Sequence, residues 1–283
     1  MSREVVVVSG VRTAIGTYGG SLKDTPPTEL AALVVRESLA RAGVEGKDVG
    51  HVVFGHVVNT EPKDMYLSRV AAINGGCAEG TPAFNVNRLC GSGLQAIVSA
   101  SQSVLLGDTD VAIGGGAENM SRAPFASLNM RWGARMGDTK MVDMMIGALH
   151  DPFHTIHMGV TAENIAAKWG ISREEQDRFG VRSQNLACEF IEKGFYEREI
   201  TPLTLPDGTV LDGELLAWLP GAEQPAPFKL LQQRLNRKAV TRPLMAQYPA
   251  FIHLYDLLHE AGEDLRALPL EERRARLEAL LDL

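Results

Sequence analysis

The feature that most constrains the fold is a regular exchange of two periodicities over the first 114 residues. "EVVVVSG" at 4–10 is a β-branched run that reads as a strand, and "TELAALVVRESLARAG" at 28–43 puts Ala31, Val34, Val35, Leu39 and Ala42 at helical spacing. Thr28 is suited to cap that helix and Gly43 to end it. The exchange repeats with strand "HVVFGHV" (51–57), a helix around "YLSRVAAING" (66–75), strand "AFNVN" (83–87), a helix from about Ser92 to Leu106, and strand "DVAIGG" (110–115). Such alternation implies an α/β sheet covered by helices.

From 115 to about 204 the chain turns Met- and Gly-rich, as in "GARMGDTKMVDMMIG", and then helical in "TAENIAAKWG" and "SREEQDRFGVRSQNLACEFIEKG". Ser172 and Gln176 bracket the start of the last helix and Gly194 stops it, which suggests a helical insertion or lid. A boundary near residue 204 precedes "PLTLPDGTVLDGELLAW", where Pro206, Asp207 and Gly208 mark a turn between short strands. Three parts follow: a core at 1–114, a loop domain at 115–204 and a small α+β stretch at 205–283, whose final helix "PLEERRARLEALL" carries a leucine stripe.

Hydrophobic residues at 45% and charged residues at 22% fit a soluble globular chain, and a net charge of -7 argues against nucleic acid as a general partner. The apolar run at the N-terminus is too short for a signal peptide or membrane anchor, so a cytoplasmic location without membrane attachment is expected. Cys77, Cys90 and Cys188 are far apart and form no C-x-x-C pair, which disfavours a disulfide framework and a zinc site.

Cys90 stands in "NVNRLCGSGLQA" (85–96), directly before a helix whose first N–H groups and dipole would stabilise a thiolate. Gly91 and Gly93 would let the backbone turn tightly and leave the sulfur uncovered. On composition and spacing, a packed core thiol competes evenly with a nucleophile, since buried free cysteine is common. "GSGLQA" at 91–96 also fits a G-x-G-x-x-A dinucleotide fingerprint, although Asp108 and Asp110 stand before the next strand and not at its end. His150, His154 and His157 have spacings of four and three that could serve a metal, but Pro152 interrupts any shared helix, so no metal is expected. Glu118 and Asn119 read as loop-fixing polar residues.

"NVNRLCGSGLQA" resembles the nucleophile motif of the thiolases, the acetyl-CoA acetyltransferases and 3-ketoacyl-CoA thiolases. "VVVVSGVRTAIGTYGGSLKD", "GGGAENMSRAP" (114–124), "HMGVTAENIA" (157–166) and "SREEQDRFGVRSQNLA" (172–187) fall in register with the same family, so the resemblance runs over residues 1–203. It implies a thiolase-like half, a helix-covered sheet with a helical loop domain. In it Cys90 takes an acyl group from acyl-CoA as a thioester, while His157 and Met158 line the pantetheine and acyl pocket. No cofactor is implied, because the coenzyme A thioester is a substrate, and a homo-oligomer is a possible state. The family's second half carries a G-H-P histidine, an N-E-A-F stretch and a cysteine in C-x-G-G-G, and none of these patterns occurs in the sequence. The one Gly-His pair, Gly55-His56, is followed by Val57. Condensation or cleavage would then lack its base.

From about Leu205 to Leu281 the sequence instead resembles the adenylation domain of bacterial ATP-dependent DNA ligases, through "LPDGTVLDGELLAW", "PFKLLQQRLNRK" and "FIHLYDLLHEAGEDLRALPLEERRARLEALL". That resemblance implies nucleotide contacts from Glu214, near the ribose or metal, and from Tyr255, stacked on adenine. The plainer reading is a hairpin with an exposed D-G-E turn and a core tyrosine. The AMP-accepting lysine of K-x-D-G has no counterpart, so adenylation by that route is not expected. Together the two resemblances describe a hybrid chain.

Overall fold

The computed structural model describes residues 3–204, 210–217, 250–260, 263–265, 268–269, 272–273 and 275–276. The chain divides into two compact units, Met1–Gly10 with Lys23–Gly170, and Val11–Leu22 with Ile171–Leu283.

In the first unit, helix α1 (Pro27–Ala42) precedes strand β1 (His51–Gly55), helix α2 (Leu67–Asn74), strand β2 (Ala83–Val86), helix α3 (Ser92–Leu106) and strand β3 (Ala112–Gly116). The strands form a parallel sheet in the order β2-β1-β3. Because side chains alternate across a strand, the buried centre of β1 serves two cores at once. Val52 and Phe54 pack with Ala31, Val35, Leu67, Ala71 and Cys77 from the α1/α2 side, while Val53 packs with Ala96 and Ala100 of α3. Helices therefore cover both faces, as the alternating pattern required.

α1 begins one residue earlier than its expected cap. Pro26 is extended and Pro27 is the first helical residue, so Thr28 lies inside the helix and caps nothing; proline needs no N–H there. Gly43 ends α1 in the left-handed region, as expected.

The larger departure is "EVVVVSG", which forms no strand. Val6, Val7 and Val8 are exposed, and among the described residues no strand pairs with them. A β-branched run becomes a strand only beside a partner that takes its hydrogen bonds, and among the described residues β3 is paired only with β1. The Arg3 guanidinium anchors the start of the run, donating to Thr109 O and to Asp110 at 2.7 Å.

The rest of this unit is loop-rich. A short pair, β4 (Phe125–Ala126) and β5 (Val142–Asp143), precedes α4 (Met144–Ala148) and α5 (Met158–Trp169).

The second unit contains α6 (Arg173–Glu192), opened by a reciprocal cap in which Ser172 Oγ accepts from Glu175 N and the Glu175 carboxylate accepts from Ser172 N. The partner is Glu175, not Gln176, whose side chain bonds Ile171 O instead. Gly194, left-handed, lies just beyond the helix, as expected for its stop. Arg12 pairs with Ile200 in this unit and lies over the Tyr196 ring. An antiparallel sheet follows in the order β6 (Leu203–Thr204), β7 (Val210–Ala217), β8 (Ala250–Glu260), β9 (Glu263–Asp264). The turn at Pro206–Gly208 and the stretch "PFKLLQQRLNRK" lie outside the described residues, as does most of the C-terminal leucine-striped helix.

Candidate active site

The three parallel strands end together, and the loops leaving them meet at one sheet edge. His56 N donates to Val86 O, Ala117 N donates to Gly55 O, and His56 Nδ1 donates to Ala117 O at 2.9 Å. The carboxyl edge of a parallel sheet is where α/β folds gather ligand-binding loops. Cys90 belongs to the loop leaving β2.

This edge is tight because of a glycine. A Cβ on Gly55 would lie 2.6 Å from the Ser92 carbonyl carbon, so only glycine lets the N-terminus of α3 rest on β1. Further along, Gly114 serves the same purpose beneath Ile97.

The turn carrying Cys90 is fixed from several sides. Ser92 Oγ donates to Leu89 O (2.6 Å) and accepts from Arg88 N (2.8 Å), and Asn87 Oδ1 accepts from Leu89 N. Arg88 also bridges forward to Gln95. These bonds hold Leu89 at φ 48, a left-handed conformation that costs a branched residue about 1 kcal/mol or more. The expectation that Gly91 and Gly93 supply the tight turn is corrected, for neither has a positive φ and the strained position is Leu89. The result is an exposed Cys90 at the foot of α3, where among the described residues no N-cap side chain bonds the first turn.

The other cysteines differ. Cys77 is buried in the α1/α2 core, and burial pushes its thiol above the ordinary range. Cys188 is half-buried within α6.

Asp64 and Asn85 knit the β1–α2 loop to β2. Asn85 accepts from Ser68 N and donates to Asp64 O and Met65 O. Asp64, fully buried, accepts from Thr60 N, Thr60 Oγ1 and Glu61 N through one oxygen. Among the described residues its second oxygen and His56 Nε2 have no hydrogen-bond partner, and His56 Nε2 stands 3.8 Å from the bonded Asp64 oxygen. Glu118 accepts from Val57 N and Val58 N, while Asn119 holds Ser121 N, Lys23 O and Thr25 O. Glu118 and Asn119 thus fix loops, as expected.

His157 caps α5, its Nδ1 accepting from Gly159 N at 3.0 Å, and Met158 is the first residue of that helix. The His157 ring meets His150 edge-on at 5.4 Å. Both residues lie in the unit that holds Cys90, but among the described residues no hydrogen bond joins either of them to it. The described residues also contain no group of three or more His, Cys, Asp or Glu arranged to hold a metal ion.

Glu214 and Tyr255 lie in the other unit. Glu214 sits within β7 opposite His253, so the D-G-E stretch is paired strand and not the exposed turn of the plainer reading. Tyr255 falls on β8 between Leu254 and Asp256, where the register shifts against Asp212 and Gly213.

The sequence reading missed Ser92, Gly55 and Asp64. Two signals were available: a glycine inside the β-branched run "HVVFGHV", and a serine placed inward on an apolar helix.

A family model described as the N-terminal domain of thiolase matches residues 5–214, and one described as an ATP dependent DNA ligase domain matches residues 172–282. The beta-ketothiolase BktB of Cupriavidus necator is 68% identical over 203 residues, covering 72% of this chain and 52% of the relative. An acetyl-CoA acetyltransferase of Syntrophomonas wolfei is 45% identical over 208 residues, with the same two shares. Among solved structures, the Bacillus anthracis acetyl-CoA acetyltransferase superposes with a TM-score of 0.69 at 35% identity, over 80% of this chain and 54% of that one. Human mitochondrial 3-ketoacyl-CoA thiolase in complex with CoA gives 0.67 at 36%, over 70% and 50%. The chain spans about half the length of the curated relatives it matches.

Proposed function

The chain belongs to the thiolase family through its N-terminal domain, and from that premise we propose that Cys90 accepts an acyl group from an acyl-CoA as a thioester. The observation that carries this reading is the exposed sulfur on a strand–turn–helix whose backbone is held in a strained form by Ser92 and Asn87. Ordered strain of this kind is maintained where geometry matters for chemistry.

The Cys90 thiolate adds to the thioester carbonyl carbon, the tetrahedral adduct collapses, and coenzyme A leaves as a thiolate that takes a proton from water. One C–S bond forms and one breaks, so the exchange needs no oxidant or metal. N–H groups at the start of α3 are suited to stabilise the attacking sulfur. His157 and Met158, at the head of α5, are assigned to the pantetheine and acyl portion of the substrate. The further steps of a complete thiolase need a base and a second cysteine whose motifs do not occur here, so acylation stops at one turnover. Losing one member of a cooperating catalytic set removes orders of magnitude in rate. We place this chemistry in the cytoplasm.

To test it, the protein is incubated with labelled acetyl-CoA and its peptides are mapped. Label on the peptide containing Cys90, removable by hydroxylamine, supports the proposal; a folded protein without label overturns it.

A second reading concerns the C-terminal part, favoured by the ligase-domain match over 172–282. The chain is a hybrid, with a thiolase-like core at 1–114, a loop domain at 115–204 and a ligase-like fragment at 205–283 in which Glu214 and Tyr255 are the nucleotide-facing residues. Without the K-x-D-G lysine it forms no adenylate. Labelled ATP should leave no covalent AMP, and a labelled lysine would overturn this reading.

A further inference from the structure

The ends of β1, β2 and β3 enclose a histidine that the acylation step does not use. His56 follows β1, and its side chain is 1% exposed. Its Nδ1 donates to Ala117 O, just beyond β3, so that nitrogen carries a proton, because a carbonyl oxygen can only accept. In a neutral ring Nε2 would then be a bare lone pair. It faces the Asp64 carboxylate at 3.8 Å and, among the described residues, has no hydrogen-bond partner. Two acceptors set against each other out of solvent are costly.

Asp64 calls for a counter-charge of its own. Its carboxylate is fully buried, it accepts from Thr60 N, Thr60 Oγ1 and Glu61 N, and among the described residues no lysine or arginine pairs with it. A buried carboxylate is stable only beside a cation. The other charged group that faces the ring, among the described residues, is Glu118, whose Oε1 lies 3.6 Å from Nδ1 and which also favours a positive ring. A second proton on the ring, at Nε2, answers both needs at once. We propose that His56 is held as an imidazolium against Asp64, and that this buried ion pair is a positioning element for the turn that carries Cys90.

The path from the pair to the turn consists of bonds already described. His56 N donates to Val86 O, at the end of β2, from which the Cys90 loop departs. Asp64 O accepts from Asn85 Nδ2, one residue earlier on β2. Gly55, beside His56, rests against the backbone of Ser92, whose hydroxyl fixes Arg88 and Leu89. Without the proton the Asp64 charge is buried unpaired, and its loop is pushed toward solvent, pulling on Asn85 and the end of β2. The positioning role rests on the reading of Cys90 as acyl acceptor, while the ion pair does not.

The full chain is labelled with nitrogen-15 histidine, and its imidazole nitrogens are read by NMR at neutral pH. His56 is identified among the seven histidines by the signals lost in His56→Asn. The expected signature is a His56 ring protonated on both nitrogens, which becomes a neutral ring protonated on Nδ1 in Asp64→Asn. A neutral His56 ring in the unmodified chain, or an imidazolium that persists in Asp64→Asn, would overturn the ion pair.

The positioning role is read by hydrogen exchange at the Ser92 amide, which bonds Leu89 O. His56→Asn can still donate to Ala117 O but brings no proton to Asp64, so exchange should quicken about tenfold or the variant should fail to fold. Adding Asp64→Asn removes the unpaired charge and should restore folding and most of the protection. A double variant no better protected than His56→Asn, or itself unfolded, would show that the site acts by packing and not by charge, and would overturn the role. Acetyl label on Cys90 is read in the same samples. An unmodified chain without label removes the acylation proposal and leaves the ion pair standing, whereas label beside a neutral His56 removes only this inference.

Discussion

At the scale of single residues, Cys90 differs from the other two cysteines in what surrounds it. Cys77 has an apolar shell that raises its thiol, so it ionises only at higher pH, whereas Cys90 is open to solvent. Brief alkylation with iodoacetamide should therefore modify Cys90 first and Cys77 last, read by peptide mass mapping; preferential loss of Cys77 would contradict the assignment. Ser92→Ala removes the donor to Leu89 O and the acceptor for Arg88 N at a buried position. It should cost about 1–3 kcal/mol in chemical denaturation and slow acylation more than alkylation, because only acylation needs the turn in place. The sequence exposed the cysteine and its following helix. It could not expose the serine's role, since a hydroxyl facing back toward its own turn leaves no periodic trace. Nor could it foretell that Leu89 would take the positive φ with Gly91 and Gly93 so near.

At the scale of elements, agreement follows from how local the cause is. α3 begins and ends where its pattern says, and β1 and β2 fall inside their expected runs, because burial on a fixed period is a local signal. "EVVVVSG" fails for the opposite reason: its state depends on a partner strand that no local pattern supplies. The contact of α3 with β1 adds a sharper test. Gly55→Ala pushes a methyl into the Ser92 backbone, which should destabilise the protein by about 1–3 kcal/mol and displace the Cys90 turn, seen as a slower acylation rate. The start of α6 has its own pH dependence. Hydrogen bonds from Ser172 hold the Glu175 carboxyl below the usual carboxylate range, so the cap is present above the unfolded value and is lost as pH falls through the folded one. Helicity should decline in acid at this end first, and Glu175→Gln should flatten that decline; hydrogen exchange at the first amides of α6 reads it.

At the scale of the molecule, two family resemblances meet in one chain, and the matches overlap over residues 172–214. The thiolase part was legible because its motifs are dense and fall in register around Cys90. The outward face of α3 was not, because an exposed stripe of leucine, isoleucine and valine reads in sequence like a buried one; only the exposed positions in the structure separate them. What unites the levels is the proposed nucleophile, an exposed cysteine on a strained turn of the thiolase N-terminal domain. The measurement that tests this most directly is the release of free coenzyme A over time after mixing the protein with excess acetyl-CoA. The expected trace rises to one equivalent per chain and stops, and it vanishes in Cys90→Ala. Sustained turnover by this chain alone, or a trace unchanged by Cys90→Ala, would contradict the account.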